Sequence, residues 1–362
     1  MTAVRRLLLR SFPPLLIAVL LQLPATSAPE AKPPTPSIRQ LVSLIQDIPA
    51  VSTGRVVYEA KDDLGEPLSL LDPIPDPRGG YLGVYDFSTG GTSPAVFVVA
   101  LAHSSDLIHW RRLAIIDRGA NSPTLRPIPG GTGYLFADER YSDADPYDHV
   151  RVRFYRSLNA VLDNQVSAQA DLPRRYSPYA EGTPDFLSIA WHGGLRRSVL
   201  ELGFHYLPVA DNPGHQGPDR EALGILRGFR TWTTRKDPVV DRLLDGVGLA
   251  GAHGDSRQFR FAEETWRVYE AQASYVLGGF ANWRIVLFDP ALRRMYPLTM
   301  MTGKGRFSRS LGVPIVNVER APTGHGTVLV VTMFVFAAGP DEHGELIYYR
   351  PLGSEGSPAS SG

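Results

Sequence analysis

The chain has 362 residues, 43% of them hydrophobic, enough to bury a large core, which excludes disorder of the whole. Its 37 basic and 37 acidic residues balance, so there is no general electrostatic attraction to nucleic acid or anionic lipid. The absence of cysteine excludes a disulfide framework, a thiolate metal site, a cysteine nucleophile and a lipid-modified cysteine.

The first residues, "MTAVRRLLLRSFPPLLIAVLLQLPATSAPEAKPP", run from arginines through an apolar stretch, Phe12 to Leu23, to small residues ending in Ala28. This is the layout of a secretory signal peptide over residues 1–28. An uncleaved anchor is the competing reading, but the apolar stretch is short for a span and carries Pro13, Pro14 and Gln22. Arg5-Arg6 also matches a twin-arginine export signal in part. Cleavage leaves 34 basic against 37 acidic residues and no stable membrane anchor, so a periplasmic or extracellular location is expected. Residues 29–37, "PEAKPPTPS", read as a proline-rich linker, and "IRQLVSLIQDI" after them has helical spacing. The body is expected over 38–352, and 353–362 reads as a disordered tail.

Within the body, short runs rich in Val, Ile, Phe and Tyr, punctuated by Gly and Pro, point to an all-β fold. Five stretches repeat one layout of turn, strand, hairpin and aromatic strand: 70–87, 121–139, 181–207, 254–274 and 312–336. With Pro73, Pro123, Pro184, Asp255 and Pro314 as markers, the spacings are 50, 61, 71 and 59 residues. A further strand pair is expected after each hairpin, clearest in "VVALAHSSDLIHWRRLAII", "VRVRFYRSLNAVL", "NWRIVLFDPALRRMYPL" and the final "GELIYYRPL". Units of about four strands repeated in this way predict a five-bladed β-propeller, with "GRVVYEA" sealing the last blade. An irregular β-sandwich is the rival, and it would lack the spacing.

In a propeller the first strand of each blade lines the central channel, so the residues just ahead of those strands converge at one rim. Asp72, Thr124, Glu181, Asp255 and the region of Pro314 hold those places. Acids gathered on one rim suit glycosidic cleavage, in which one carboxylic acid protonates the leaving oxygen and a second carboxylate serves as base or nucleophile. "LLDPIPDPRGGYLGVYDF" resembles the first-blade pattern of family 43 glycoside hydrolases, "SSDLIHWRRL" an outer-edge turn of the same enzymes, and "AEGTPDF" the third-blade motif of families 43 and 32. That resemblance spans about Leu68 to Leu352 and implies Asp72 as base or nucleophile and Glu181 as acid. One departure stands out: "NSPTL" places Thr124 where those families carry an aspartate that tunes the acid, so Asp138, Asp117 or another acid must substitute, or hydrolysis is lost.

The fourth blade offers His253, Asp255, Arg257, Glu270 and Gln272 near the same rim. Asp255, Arg257, Glu270 and Thr124 are the expected substrate-binding groups, with Trp191, Trp266 or Trp283 to stack on a sugar ring. No cofactor is required and no dedicated metal site is expected, although a structural calcium beside His253 fits the resemblance. Simpler roles compete at each place: Asp72 as a turn former, Asp255 and Arg257 as an ion pair, and most aromatics as blade core. The glycine-rich turns precede no helix and there is no Gly-x-Ser-x-Gly elbow, against a nucleotide site or an α/β serine hydrolase. The expected activity is hydrolysis of an oligosaccharide or polysaccharide, with binding alone or transfer between sugars as alternatives, and no nucleic-acid partner.

Overall fold

A computed structural model describes residues 36–90, 96–141, 147–209, 217–276, 282–336, 339 and 341–352. They belong to the compact unit Pro36–Gly362, and the expected signal peptide and tail lie outside them.

The unit opens with α1 (Pro36–Gln46) and the short β1 (Val56–Val57). The first blade is β2 (Ser69–Pro75), β3 (Tyr81–Ser88), β4 (Phe97–Ser104) and β5 (Arg111–Arg118). The second is β6 (Ala120–Pro127), β7 (Tyr134–Arg140), β8 (His149–Tyr155) and, after α2 (Leu158–Leu162), β9 (Ala168–Asp171). The third is β10 (Glu181–Ala190), β11 (Val199–Tyr206), β12 (Arg220–Arg227) and β13 (Thr231–Lys236). After α3 (Pro238–Gly246) comes the fourth, β14 (His253–Phe261), β15 (Glu264–Gln272), β16 (Trp283–Asp289) and β17 (Arg294–Pro297). A small hairpin, β18 (Met301–Gly303) and β19 (Arg306–Phe307), precedes β20 (Leu311–Arg320), β21 (Thr327–Val335) and β22 (Gly344–Leu352).

Each sheet is antiparallel, and the fifth takes β1 as its outer strand, with Val56 opposite Tyr348 and Val57 opposite Ile347. The inner strands β2, β6, β10, β14 and β20 pack side by side and β20 returns to β2, closing a five-bladed β-propeller. The repeat spacing, the all-β class and the sealing strand read from the sequence are therefore borne out. One strand pair was misplaced: "RSLNAVL" is the helix α2, capped by the Ser157 side chain, with Leu158 and Val161 buried between the first two blades.

Apolar side chains fill the spaces between blades. In α1, which begins two residues inside the expected linker, Ile38, Leu41 and Ile45 fall on one face and bury against the fourth and fifth blades with Trp266 and Tyr348. The Tyr348 hydroxyl donates to the Ile45 carbonyl and ties the helix down. Between the third and fourth blades, α3, capped by Asp237, inserts Val240 and Leu244 against Tyr269 and Phe288.

Every inner strand carries a bulge near its start: the ladder skips between Ser69 and Asp72, Asn121 and Thr124, Gly182 and Asp185, His253 and Ser256, and Gly312 and Ile315. Pro123, Pro184 and Pro314 sit inside these bulges, where a missing N–H breaks no ladder bond. Leu70, Ser122, Thr183 and Val313, each at the same point of its bulge, have φ of 52°, 50°, 51° and 49°. Such left-handed backbone is unfavourable for residues with a Cβ.

If α1 is part of the folded body, Leu41→Ala and Ile45→Ala each lower the unfolding free energy by about 2–5 kcal/mol, the range for emptying a buried leucine or isoleucine site. Urea denaturation followed by tryptophan fluorescence measures this, and unchanged midpoints would show α1 to be dispensable.

Candidate active site

A pit of about 460 Å³ opens at the rim where the bulges converge. Leu70, Ser122, Thr183 and Val313 line it, and so do the carboxyl groups of Glu139, Asp148, Asp219, Asp255 and Glu270, with His205 and Trp283. The bulges expose the backbone N–H groups of these left-handed residues, and carboxyl groups from the preceding blade accept three of them. Ser122 N donates to Asp86 Oδ2 at 2.7 Å, Thr183 N to Glu139 Oε2 at 3.0 Å, and Val313 N to Glu270 Oε2. At the first blade the Ser69 hydroxyl favours the charged forms of both Asp86 and Glu345. Gly182 and Gly254 make room for this arrangement, because a Cβ on either would collide with the carboxyl of Glu139 or Glu270.

Of the residues singled out in the sequence, Asp255 and Glu270 line the pit, whereas Asp72, Glu181, Thr124 and Arg257 do not. Asp72 is completely buried in the channel below, where it accepts from Thr124 Oγ1 at 3.0 Å, Arg126 Nη1 at 2.6 Å and Asn317 Nδ2 at 3.1 Å. The reason is register. Leu71 is the bulge residue of the first blade, so Asp72 matches Thr124 and Asp185, which lie past the bulge. Glu181 falls one residue ahead of Gly182, on the side facing the β9–β10 loop, and its Oε1 accepts the N–H groups of Arg175 at 2.6 Å, Tyr176, and Ser177 at 3.2 Å. It staples that loop.

Arg257 is 1% exposed, with Nη1 bonded to the Pro184 and Ser256 carbonyls at 3.3 and 3.1 Å. Asp138 and Asp117 are tied up by Arg151 between the first two blades, whereas Glu139, next along the strand, points to the opposite face and into the pit. Trp266 is core, Trp191 lies beyond the far end of β10, and Trp283 alone of the three stacking candidates borders the pit.

Glu139, Asp148, His205 and Asp219 were not singled out in the sequence. Their signal, in part, is an acid near the end of the second strand of three of the five hairpins, as in "YDF", "FADE" and "VYEAQ".

Burial opposes charge on all these carboxyls, and they divide by what else they meet. Glu139 is held below the usual range despite its burial, by hydrogen bonds from Asp148, the Thr183 N–H and Tyr141, and by His205. Burial and the adjacent Glu139 push Asp148 up, so this pair retains a proton. Burial also raises Asp86 to about 7 and Asp219 to about 6, the nearby Asp255 and Glu139 adding to both. Asp255 is raised by burial, but His205, Arg257 and the Thr183 hydroxyl favour its charged form. Glu270 is pushed well up by burial and by Asp255. The arrangement therefore holds proton donors and a carboxylate in one cavity.

The residues present do not suit calcium at His253. Its Nδ1 lies 2.8 Å from Asp241 Oδ1 and its Nε2 3.0 Å from the Leu249 carbonyl, so both ring nitrogens are engaged. Among the described residues no group of three or more His, Asp and Glu side chains has a geometry that would hold a metal ion.

No protein-family model matches the chain, and no curated protein matches it in sequence. Solved structures do. A glycoside hydrolase superposes with a TM-score of 0.53 at 10% identity, covering 89% of this chain and 97% of that one. The structure of an RGII complex also gives 0.53 at 10% identity, covering 87% of this chain and 95% of that one. A thermostable family-43 glycoside hydrolase gives 0.46 at 10% identity, covering 80% and 90%. At such identities the likeness at 0.53 speaks for the fold, and the fold it supports is the five-bladed β-propeller.

Proposed function

We propose that the chain is an exported glycoside hydrolase that cleaves an oligosaccharide or polysaccharide in the central pit. The observation that carries this reading is the convergence of five carboxyl groups from three blades and their loops on one cavity of about 460 Å³, with their proton affinities pushed apart. That one propeller of the same architecture is a glycoside hydrolase agrees with it.

Within the pit, Asp219 and Asp255 are the pair we assign to the chemistry. Asp219 is raised to about 6, which keeps a proton on it in mildly acidic solution and suits a general acid for the leaving oxygen. Asp255 has its charged form favoured by His205 and Arg257, and its carboxylate serves as base toward water or as nucleophile. Glu139 and Glu270 are committed to the bulge N–H groups of Thr183 and Val313, so their part is electrostatic. Trp283 offers a ring at the wall for a sugar face. Asp72 and Glu181 shape the site without reacting in it: Asp72 anchors Arg126, and Glu181 holds the loop that leads to Ala180 and Thr183. A pit that binds sugar without cleaving it is the second reading, favoured by the commitment of Glu139 and Glu270 to backbone groups.

A panel of plant and bacterial polysaccharides, with reducing ends as the readout, tests the assignment. Asp219→Asn and Asp255→Asn are expected to lose about 10²–10⁴ in kcat/KM with their melting temperatures near that of the parent. Asp72→Asn and Glu181→Gln are expected to lower the melting temperature and leave kcat within a few-fold. Full activity in both pit variants would remove the assignment, and sugar binding without turnover by the parent would select the second reading.

The raised carboxyls also fix a pH dependence. Loss of the Asp219 proton makes activity fall as pH rises through about 6, and the fall is absent from any residual activity of Asp219→Asn. Asp86 at about 7 and Glu319 and Glu345 at about 8 bind protons more tightly when folded than when unfolded. Their contribution to stability is complete below the ordinary carboxyl range and is lost as pH rises through these values. Thermal unfolding is therefore expected at a higher temperature near pH 5 than near pH 8, and the reverse order would contradict the burial of these groups.

A further inference from the structure

The rim opposite the pit carries a surface of contrary charge. From Thr183 at the pit, β10 runs to Ala190, so Trp191 and the turn after it stand roughly 25 Å away at the far end of the blade. Two neighbouring hollows lie there. One, of about 450 Å³, is bordered by Trp191 and Phe154, whose rings are 5.0 Å apart, and by Arg156. The other, of about 410 Å³, is bordered by Arg196, Arg197, Arg227 and Arg230. The chain joins them: Gly193, Gly194 and Leu195 line the first, and Arg196 begins the second.

The four arginines are exposed, and among the described residues none of them forms an ion pair or donates a side-chain hydrogen bond. Among the described residues, no carboxylate lines either hollow. In a chain whose charges balance overall, four unmatched guanidinium groups in one hollow repel one another and call for an anion. A guanidinium fork pairs with a carboxylate through two parallel hydrogen bonds, and an indole accepts the apolar face of a sugar ring.

We propose that this surface is a non-catalytic binding site for an acidic polysaccharide, with uronate carboxylates on Arg196, Arg197, Arg227 and Arg230 and a sugar ring stacked on Trp191. The carboxyl-lined pit repels such a chain, so the arginine surface is where its charged residues are held. The choice of a glycan over another polyanion rests on reading the pit as a sugar site.

Affinity electrophoresis and titration calorimetry of the full chain, with polygalacturonate as probe, test the proposal. The parent is expected to bind at low salt and to weaken as salt is raised. Arg196→Ala with Arg197→Ala, and Arg227→Ala with Arg230→Ala, are each expected to weaken binding about tenfold or more, and Trp191→Ala several-fold. These side chains are exposed or partly so, and unchanged melting temperatures show that the variants fold. Arg118→Ala, at an exposed arginine of the first blade outside both hollows, is expected to bind as the parent does. Absence of binding, binding retained by both arginine pairs, or loss of it in Arg118→Ala would overturn the proposal. So would tighter binding of polyadenylate or of phosphatidylserine vesicles than of polygalacturonate. Because the readout is binding, its result is separate from turnover: polygalacturonate held by a protein that cleaves nothing would sink only the hydrolase reading.

Discussion

The propeller depends on how its inner strands are held at the bulges. Four of the five bulges place a residue with a Cβ in left-handed backbone, at a cost of about 1–3 kcal/mol each. A carboxyl group accepting the freed N–H contributes about 0.5–1.5 kcal/mol when neutral and about 1.5–3 kcal/mol when charged, which works against that strain. Asp86 reaches Ser122, Glu139 reaches Thr183, and Glu270 reaches Val313, and each bond crosses from one blade to the next. These bonds therefore fix three of the bulges and align three pairs of neighbouring blades. Two of them also bring a carboxyl group, Glu139 and Glu270, to the pit.

Guanidinium groups enter the axis below the pit, among further carboxyl groups. Below the acidic pit, Arg126 bonds Asp72 and approaches Asp185 to 3.6 Å, and Arg257 lies between the two layers. Arg257 favours the charged forms of both Asp185 below it and Asp255 above it. Its Nε and Nη2 have no hydrogen-bond partner, so its influence on Asp255 is not consumed by a closer ion pair. This distinguishes Asp255 from Glu270, which burial and Asp255 itself drive toward the protonated form. Burial raises both carboxyl groups, but only Asp255 has cationic side chains, His205 and then Arg257, working against that rise.

Much of the fold was legible because blades are made of local contacts. Hairpin turns rich in glycine and short strands rich in Val, Ile, Phe and Tyr repeat at near-regular spacing, and the strand at Val56–Val57 pairs with the edge of the last blade. The site was legible only in part, since it is set by register. Prolines mark the bulge at Pro123, Pro184 and Pro314, but in the first blade the bulge residue is Leu71 and the proline follows two positions later. A pattern anchored on Asp72-Pro73 therefore points into the channel. A strand alternates faces at every residue, so an offset of one, as at Glu181, exchanges pit for loop. Asp255 and Glu270 were found because the fourth blade has no such offset.

The glycines explain how the pit can be acidic with no acid on the first three inner strands facing it. At Gly182 the space a side chain would fill is taken by the carboxyl of Glu139, and at Gly254 by that of Glu270, both delivered from second strands. A carboxyl reaching over a glycine places its oxygens where an inner-strand side chain would put them, so the position of the charge is preserved while the residue supplying it differs. Short motifs on the inner strands report only one of these two routes. The other is visible as a glycine at the bulge paired with an acid at the end of the neighbouring strand, Gly182 with Glu139 and Gly254 with Glu270, and the pairing is set by the distance across one blade boundary or one hairpin. Reading the two strands together, as a unit of glycine and acid, is what the physical geometry of the rim requires.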